Sequence, residues 1–190
     1  MVNFKSRVIA FSEMSIMVSL AFILHSFFKI LEMPNGGSVN FGLTPLIIFS
    51  FRRNLLMGTI SGFVLSIVYF LSHPYIPPTD DLTKIILSVF LDYILSYSCV
   101  GLASIFNNCL INNNIKIIFG VSLVHIIRFL LFCTSGITVW CVNTPFGDSA
   151  VKYVFIYNLA YCLPNFIADL LMCITLQKFC FGLQNKNSNV

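Results

Sequence analysis

Long apolar segments separated by short polar stretches dominate this sequence. Their approximate bounds are residues 8–31, 38–51, 54–73, 84–107, 115–140 and 150–181. Only 9% of the residues are charged, whereas a soluble domain carries about a quarter charged residues. So few charges cannot cover a water-facing surface, and most segments reach the length of roughly 20 apolar residues that crosses a bilayer. The sequence therefore predicts an all-α integral membrane protein, a six-transmembrane-helix bundle that forms a single domain over residues 1–190.

Three segments need separate comment. Segment 38–51 is short and has Pro45 in its opening turns, so we expect part of it to be unwound where protein covers the freed backbone groups. Segment 150–181 exceeds the bilayer thickness and contains Pro164, which predicts a tilt or a kink. Segment 8–31 contains Glu13 and no convincing cleavage site. We interpret it as a retained first span rather than a signal peptide.

Basic residues divide unequally between the two sets of segment ends. Seven lie on one side, namely Lys5, Arg7, Arg52, Arg53, Lys116, Lys178 and Lys186. Three lie on the other side, namely Lys29, Lys84 and Lys152. Cytoplasmic loops carry the excess of Lys and Arg in membrane proteins. The sequence thus predicts a multi-pass protein of the cell membrane with both termini in the cytoplasm. The proline- and glycine-rich stretches 32–38, 73–81 and 141–148 then lie outside, where their specific turn geometry indicates an outward-facing site.

Ionisable residues interrupt the apolar segments, and at membrane depth such residues indicate function or a buried pair. They are Glu13, Asp92, His125, Arg128 and Asp169, with His25 near the end of the first segment. For His25 and His125 we expect core or interfacial packing. Asp92 and Arg128 allow two interpretations, a structural ion pair or a pocket for a small polar ligand. A carboxylate with aromatic neighbours suits a delocalised positive charge, through Coulomb attraction and cation–π contact.

Motifs of enzymes and of metal or nucleotide sites are absent from the sequence. The seven cysteines show no metal-ligand spacing, and we interpret them as packing residues. We therefore expect no catalytic residue, no metal or cofactor, and no nucleic-acid partner. In the first segment, Ser15 and Ser19 form a small-xxx-small pair. Such a pair permits close helix approach, either within the bundle or to a partner.

Short motifs over nearly the whole chain occur in a specific order. They are Met33-Pro34-Asn35-Gly36-Gly37-Ser38, Pro45, Arg52-Arg53, His73-Pro74, Leu91-Asp92-Tyr93, Gly101-Leu102-Ala103, Arg128-Phe129, Ser135-Gly136, Tyr153, Tyr157-Asn158 and Pro164. In this combination the chain resembles the thiamine-specific substrate-binding component (S component) of energy-coupling factor vitamin transporters. The resemblance implies a six-helix bundle that captures thiamine near its outer face. It also implies as partners a transmembrane scaffold subunit and two ATP-binding cassette ATPases, with Ser15 and Ser19 at the positions of an alanine-xxx-alanine scaffold contact.

The resemblance also assigns a role to individual residues of the ligand site. Asp92 stands where the family has a carboxylate that faces the thiazolium ring of thiamine. The other implied site residues are the aromatics Tyr93, Trp140 and Tyr153, the pyrimidine contact Asn158, the basic residue Arg128 and the close-approach glycine Gly136.

Two positions depart from the family pattern. Phe132 replaces a pocket histidine, and Asn40, which the resemblance also places at the ligand site, aligns with an acidic residue of some members. These departures leave open a related pyrimidine or thiazole precursor as the ligand. Apart from the resemblance, a structural membrane protein without a transport role remains an alternative.

Overall fold

The structure is a computed structural model that describes residues 4–34, 36–140 and 150–182. The elements run in the order α1 (Phe4–Phe27), β1 (Lys29–Glu32), β2 (Ser38–Asn40), α2 (Thr44–Arg52), α3 (Leu55–Ser72), α4 (Leu82–Phe106), α5 (Asn113–Trp140), α6 (Ala150–Thr175) and α7 (Gln177–Phe181). The predicted outer stretch 141–148 and Asn35 lie outside the described residues, as does Lys186.

Five of the described helices are long and apolar enough to cross a membrane. They are α1, α3, α4, α5 and α6. Their outward faces leave large apolar side chains exposed, such as Ile16 on α1, Ile126 on α5 and Leu171 on α6. A surface of this kind is suited to lipid. The prediction of a helical membrane bundle is therefore confirmed.

The predicted second span, residues 38–51, is helical only in its second part. Strands β1 and β2 pair as an antiparallel hairpin, and the chain becomes helical only at Thr44. Gly36 and Gly37 between the strands have φ of 88° and 92°, a left-handed conformation that glycine adopts without steric cost. The hairpin also explains why α1 ends at Phe27 rather than near residue 31.

Helix α2 is short and lies inside the bundle. Its nine residues rise only about 13 Å, against roughly 30 Å of bilayer hydrocarbon. Every residue from Thr44 to Phe51 is buried, and Pro45 occupies the first turn, where a missing N–H does no harm. The all-helical prediction thus holds for the bundle but not for the hairpin that leads into α2.

Glu13 is neutralised at the end of the bundle opposite the hairpin. Its carboxylate forms an ion pair of 2.5 Å with Nε of Arg52 and accepts a hydrogen bond of 2.7 Å from Nε of Arg53. Both arginines lie at the α2–α3 turn, so this cluster fastens α1 to that turn. Glu13 therefore has a structural explanation.

Helices α4 and α5 contain irregular turns. Val89–Leu95 of α4 and Gly136–Trp140 of α5 are π-helical, a geometry that is often found at functional sites. The first π segment contains Asp92 and Tyr93, and the second contains Gly136 and Trp140. Four residues of the predicted site therefore lie in the two wide turns.

Candidate functional site

A cavity of about 770 Å³ lies at the hairpin end of the bundle, within the volume range of small-molecule pockets. All eight residues that the sequence placed at a ligand site line it, and these are Asn40, Asp92, Tyr93, Arg128, Gly136, Trp140, Tyr153 and Asn158. The hairpin, the stretch 73–79, α4, α5 and α6 all contribute to the walls. The fold thus brings together residues that lie more than 100 positions apart.

Among the described residues, the donors that reach Asp92 are all neutral. Its Oδ2 receives the Ser135 hydroxyl at 2.7 Å, the Ser88 hydroxyl at 3.0 Å and the indole N–H of Trp140 at 3.3 Å. Among the described residues, no donor reaches Oδ1 and no ion pair joins Asp92 to Arg128. The structural ion pair that the sequence allowed is therefore not formed. The carboxylate remains available to a cation that enters the cavity.

Trp140 stacks on Tyr75, with ring centroids 5.2 Å apart and planes inclined by 17°. The hydroxyl of Tyr93 accepts a hydrogen bond from the backbone N–H of Tyr75 at 2.9 Å and donates to the carbonyl of His73 at 3.3 Å. Tyr93 therefore holds the stretch that carries Tyr75 against the cavity. Tyr75 was not predicted from the sequence, where its only signal is an aromatic residue within a proline-rich stretch.

Arg128 is buried between two aromatic rings, with only 7% of its surface exposed. The guanidinium carbon lies 5.4 Å from the ring centre of Tyr97 and 5.2 Å from that of Phe132. Both contacts have the range of cation–π interactions. Within the described residues, the Nε atom has no hydrogen-bond partner. Arg128 thus reaches the cavity as a cation held by ring faces.

The side chain of Asn40 is occupied by contacts within the protein. Its Oδ1 accepts a hydrogen bond from the backbone N–H of Gly42 at 2.8 Å and lies 3.0 Å from Nδ1 of His25. The other ring nitrogen of His25 lies 3.0 Å from the hydroxyl of Tyr97. This chain of contacts joins the hairpin to α1 and α4. It gives buried His25 the packing role that the sequence predicted.

His125 and Asp169 form a second buried contact, with Nε2 and Oδ2 3.0 Å apart. The hydroxyl of Thr44 donates to the other oxygen of Asp169. Since these residues belong to α5, α6 and α2, the cluster joins three helices beside the cavity. His125 is therefore a packing residue as predicted, and Asp169 a helix–helix contact.

Asn165 on α6 completes the open edge of strand β2. Its side-chain oxygen accepts a hydrogen bond from the backbone N–H of Asn40 at 2.9 Å, and its amide donates to the carbonyl of Ser38 at 2.8 Å. One carboxamide thereby satisfies the two backbone groups that a third strand would satisfy. Asn165 was not predicted from the sequence, where its only signal is a polar side chain one turn before Asp169.

Two tyrosines lie on the same face of α6 as Asn165 and contact Gly36 and Gly37. The hydroxyl of Tyr157 donates to the carbonyl of Gly36 at 2.8 Å. A side chain at Gly37 would place its Cβ 2.8 Å from the ring of Tyr161. A stripe of side chains at every fourth position of α6 therefore contacts the segment 36–44. Its residues are Tyr157, Tyr161, Asn165 and Asp169.

Gly136 and Asn158 lie where α5 and α6 meet. A Cβ at Gly136 would lie 2.5 Å from Cγ1 of Val154, so the close approach of α5 and α6 requires glycine. Asn158 accepts a hydrogen bond from the hydroxyl of Tyr161 at 2.6 Å and donates to the carbonyl of Val154 at 3.0 Å. Tyr153, one turn before Tyr157, lies nearer the mouth and is half-exposed.

Ser15 and Ser19 do not belong to this cavity. Both are exposed on α1, and Ser15 donates to the carbonyl of Phe11 on its own helix at 3.0 Å. Packing of the pair within the bundle, one of the two interpretations that the sequence allowed, is not observed. The small residues lie on an outer face of α1.

A bundle of membrane-spanning helices with a polar and aromatic cavity at one end defines a membrane protein with a built site for a small molecule. The chain belongs to the thiamine transporter protein family, whose model matches residues 11–184. The family transports its substrate and is not a family of enzymes. This membership confirms the resemblance inferred from the sequence and removes the alternative of a membrane protein without a transport role.

Two relatives show how far the similarity extends. The curated thiamine transporter ThiT of Bacillus subtilis (strain 168) is 23% identical, over 90% of this chain and 92% of its own. A solved structure of ThiT from Listeria monocytogenes superposes with a TM-score of 0.73 at 19% identity, over 94% of this chain and 98% of that one. The second comparison shows that the two proteins share a fold.

Proposed function

We propose that this protein is the substrate-capturing subunit, or S component, of an energy-coupling factor transporter and that it binds thiamine in the cavity. The contacts of Asp92 carry this proposal. Its carboxylate meets only neutral donors among the described residues, and a half-buried charge without a counter-charge is costly. A ligand with a cationic ring supplies that counter-charge, and the indole of Trp140 beside it suits the same ring.

The remaining cavity residues divide into walls and polar contacts. Tyr93, Trp140 and Tyr153 supply aromatic surface, and Asn158 retains an oxygen lone pair for a donor on the pyrimidine. Phe132 offers no hydrogen bond where the family pattern has histidine. The affinity for the ligand therefore depends more strongly on Asp92 than it would if a histidine stood at position 132.

Titration of the purified protein with thiamine tests the proposal. We expect heat release in calorimetry and quenching of the fluorescence of Trp140, the only tryptophan of the chain, both with a Kd below about 1 μM, or about 8 kcal/mol of binding free energy. Flat titrations with thiamine, together with binding of the free pyrimidine or thiazole, would assign the cavity to a precursor instead.

The sixth crossing of the proposed bundle is the hairpin strand β2 followed by α2. Buried helix of this length is tolerated at membrane depth because protein covers its ends. Six crossings place both termini on one side, and the basic residues assign that side to the cytoplasm. In a cysteine-free background, we expect an impermeant thiol reagent to label a cysteine at Asp80 in intact cells and not one at Val190. Labelling at Val190 would contradict this topology.

The exposed serine pair on α1 is the proposed contact for the scaffold subunit. We expect Ser15→Leu or Ser19→Leu to reduce thiamine uptake about tenfold or more, because leucine prevents the close helix approach that small residues permit. Thiamine binding by the isolated subunit is expected to stay at the wild-type level. Ser72 on α3 provides a matched control, since it is also an exposed serine bonded to its own helix, and Ser72→Leu should preserve uptake. Loss of thiamine binding by the isolated Ser15 or Ser19 variants would contradict the docking role, because the defect would then lie within the subunit itself.

A further inference from the structure

A hydrogen-bond network around His25 runs from the turn after β2 to the wall of the cavity. The backbone N–H of Gly42 donates to Oδ1 of Asn40 at 2.8 Å, and the same oxygen lies 3.0 Å from Nδ1 of His25. Nε2 of His25 lies 3.0 Å from the hydroxyl of Tyr97. His25, Asn40 and Tyr97 all line the cavity. A Cβ at Gly42 would lie 2.6 Å from Cβ of His25, so the network fits only beside glycine.

Gly42 fixes the direction of every hydrogen bond in the His25 network. A backbone N–H can only donate, so the atom of Asn40 that it meets is the carbonyl oxygen, and this oxygen can only accept. Nδ1 of His25 therefore carries a hydrogen. In a neutral imidazole the other ring nitrogen is then a bare acceptor, and the hydroxyl of Tyr97 donates to it.

His25 is neutral because its surroundings do not balance a positive charge. Only 8% of the residue is exposed, and its contacts with Asn40, Tyr97 and the ring of Tyr69 are contacts with uncharged side chains. The basic side chains whose field reaches it are Arg128, Lys29 and His73. All three oppose a further positive charge, and among the described residues no carboxylate contacts the ring. A buried cation without a counter-charge is too costly for this position.

The hydroxyl hydrogen of Tyr97 is thus committed to His25. Among the described residues the Tyr97 oxygen has no other hydrogen-bond partner, so a ligand can use its remaining lone pair only by donating. Thiamine has two donor groups, the amino group of its pyrimidine ring and the hydroxyl of its side chain. A hydroxyl can turn to donate or to accept, so an acceptor in the wall selects only for the amino group.

From this network we propose that Tyr97 accepts a hydrogen bond from the amino group of the pyrimidine ring. Asn40 is then a positioning residue, because it keeps His25 neutral and thereby keeps Tyr97 an acceptor. The proposal rests on the proposed function, since thiamine supplies the amino group. An analogue with an oxygen in place of that group is rejected, because two acceptors would face each other.

The Asn40→Asp variant should reverse the network. A carboxylate beside His25 stabilises the imidazolium, whose Nε2–H then donates to Tyr97 and frees the Tyr97 hydroxyl to donate into the cavity. The substitution keeps the shape of the side chain. The hydroxyl of Ser38, which accepts from the amide of Asn40 at 2.8 Å, can turn to donate to the carboxylate instead.

The direction of the hydrogen bonds can be measured by ¹⁵N NMR of the histidine-labelled full chain in detergent at neutral pH. The chain has three histidines, so His73→Gln and His125→Gln identify the signals of His25 by elimination. We expect a protonated Nδ1 and a bare Nε2 in the wild-type protein, and two protonated nitrogens in Asn40→Asp. The opposite tautomer or an imidazolium in the wild-type protein would overturn the proposal.

Calorimetric titrations with thiamine and its oxo analogue, oxythiamine, measure the selectivity. We expect the wild-type protein to bind thiamine about tenfold or more tightly than oxythiamine, as expected for one lost hydrogen bond that leaves a buried acceptor unpaired. In Asn40→Asp this ratio should fall by about tenfold, because the freed hydroxyl of Tyr97 donates to the oxo group. Tyr97→Phe, which keeps the ring beside Arg128, should also lower the ratio.

A matched control makes the same change of side chain at the opposite end of the bundle. Asn54 caps α3 by accepting from the N–H of Met57 at 2.9 Å, and aspartate caps equally well. Asn54→Asp should therefore leave the ratio of dissociation constants at the wild-type value.

The two proposals fail in different ways. If thiamine binds but Asn40→Asp leaves the ratio unchanged, Asn40 has no positioning role and the proposed function stands. An unchanged ratio in Tyr97→Phe would likewise remove the contact between Tyr97 and the amino group. If neither thiamine nor oxythiamine binds, both proposals are wrong.

Discussion

We expect the Asp92→Asn variant to bind thiamine about 10²-fold or more weakly than the wild-type protein, since removal of one partner of a desolvated charge contact costs a few kcal/mol. Asparagine preserves the shape of the side chain, so Ser135, Ser88 and Trp140 keep a hydrogen-bond acceptor. The lost quantity is the negative charge that faces the thiazolium. Calorimetry and Trp140 fluorescence on the purified variant measure the change.

Two controls limit this result to the charge in the cavity. A neutral pyrimidine analogue should lose little affinity in Asp92→Asn, because it has no cationic ring. Asp81→Asn makes the same substitution outside the cavity, where Asp81 caps α4 by accepting from the N–H of Thr83 at 3.0 Å, and asparagine caps equally well. That variant should bind thiamine normally. If Asp92→Asn bound thiamine with wild-type affinity, Asp92 would not be the counter-charge of the thiazolium.

Replacement of Gly62 by valine should destabilise the protein by more than about 3 kcal/mol, at or above the upper range for overpacked cores. A Cβ at Gly62 on α3 would lie 2.1 Å from the carbonyl oxygen of Tyr97 on α4. Because the obstructing atom belongs to the backbone, α3 and α4 must separate. Tyr97 contacts both Arg128 and His25, so thiamine binding should be lost together with stability.

Thermal unfolding in detergent and thiamine titration measure the two effects of Gly62→Val. The neighbouring Phe63 is exposed on the outer face of α3, and Phe63→Val provides the control for a change in the same helix. It should unfold near the wild-type temperature. A wild-type unfolding temperature for Gly62→Val would show that the α3–α4 contact is looser than the structure indicates.

The membrane helices were predictable because a long apolar run is a direct requirement of the bilayer. The hairpin was not, because β1 and β2 lie at the adjoining ends of the apolar segments 8–31 and 38–51 and are too short to show the alternation typical of a strand. The residues Pro34, Asn35, Gly36 and Gly37 signalled a turn, but such a signal does not distinguish a loop between helices from the turn of a strand pair. Tertiary contacts with α6 decide the conformation of that segment.

The candidate site was predictable in its residues and not in its contacts. Family resemblance identified residues that all line one cavity, yet it left open whether Asp92 and Arg128 pair. The partners of Asp92 include Ser135 and Trp140, which are 43 and 48 positions away. Asn165 meets Ser38 across 127 positions. Contacts of this range depend on helix packing, which single-sequence patterns do not specify.

The stripe on α6 that holds the segment 36–44 has a consequence for the entropy of ligand binding. Fixing one residue of backbone costs about 1–2 kcal/mol, so nine residues in a free loop would cost a ligand on the order of 10 kcal/mol if it had to order them. Tyr157, Asn165 and Asp169 already fix this wall through hydrogen bonds to the segment. The ordering cost is thus met when the chain folds, and a ligand that enters the cavity keeps more of its contact energy as affinity.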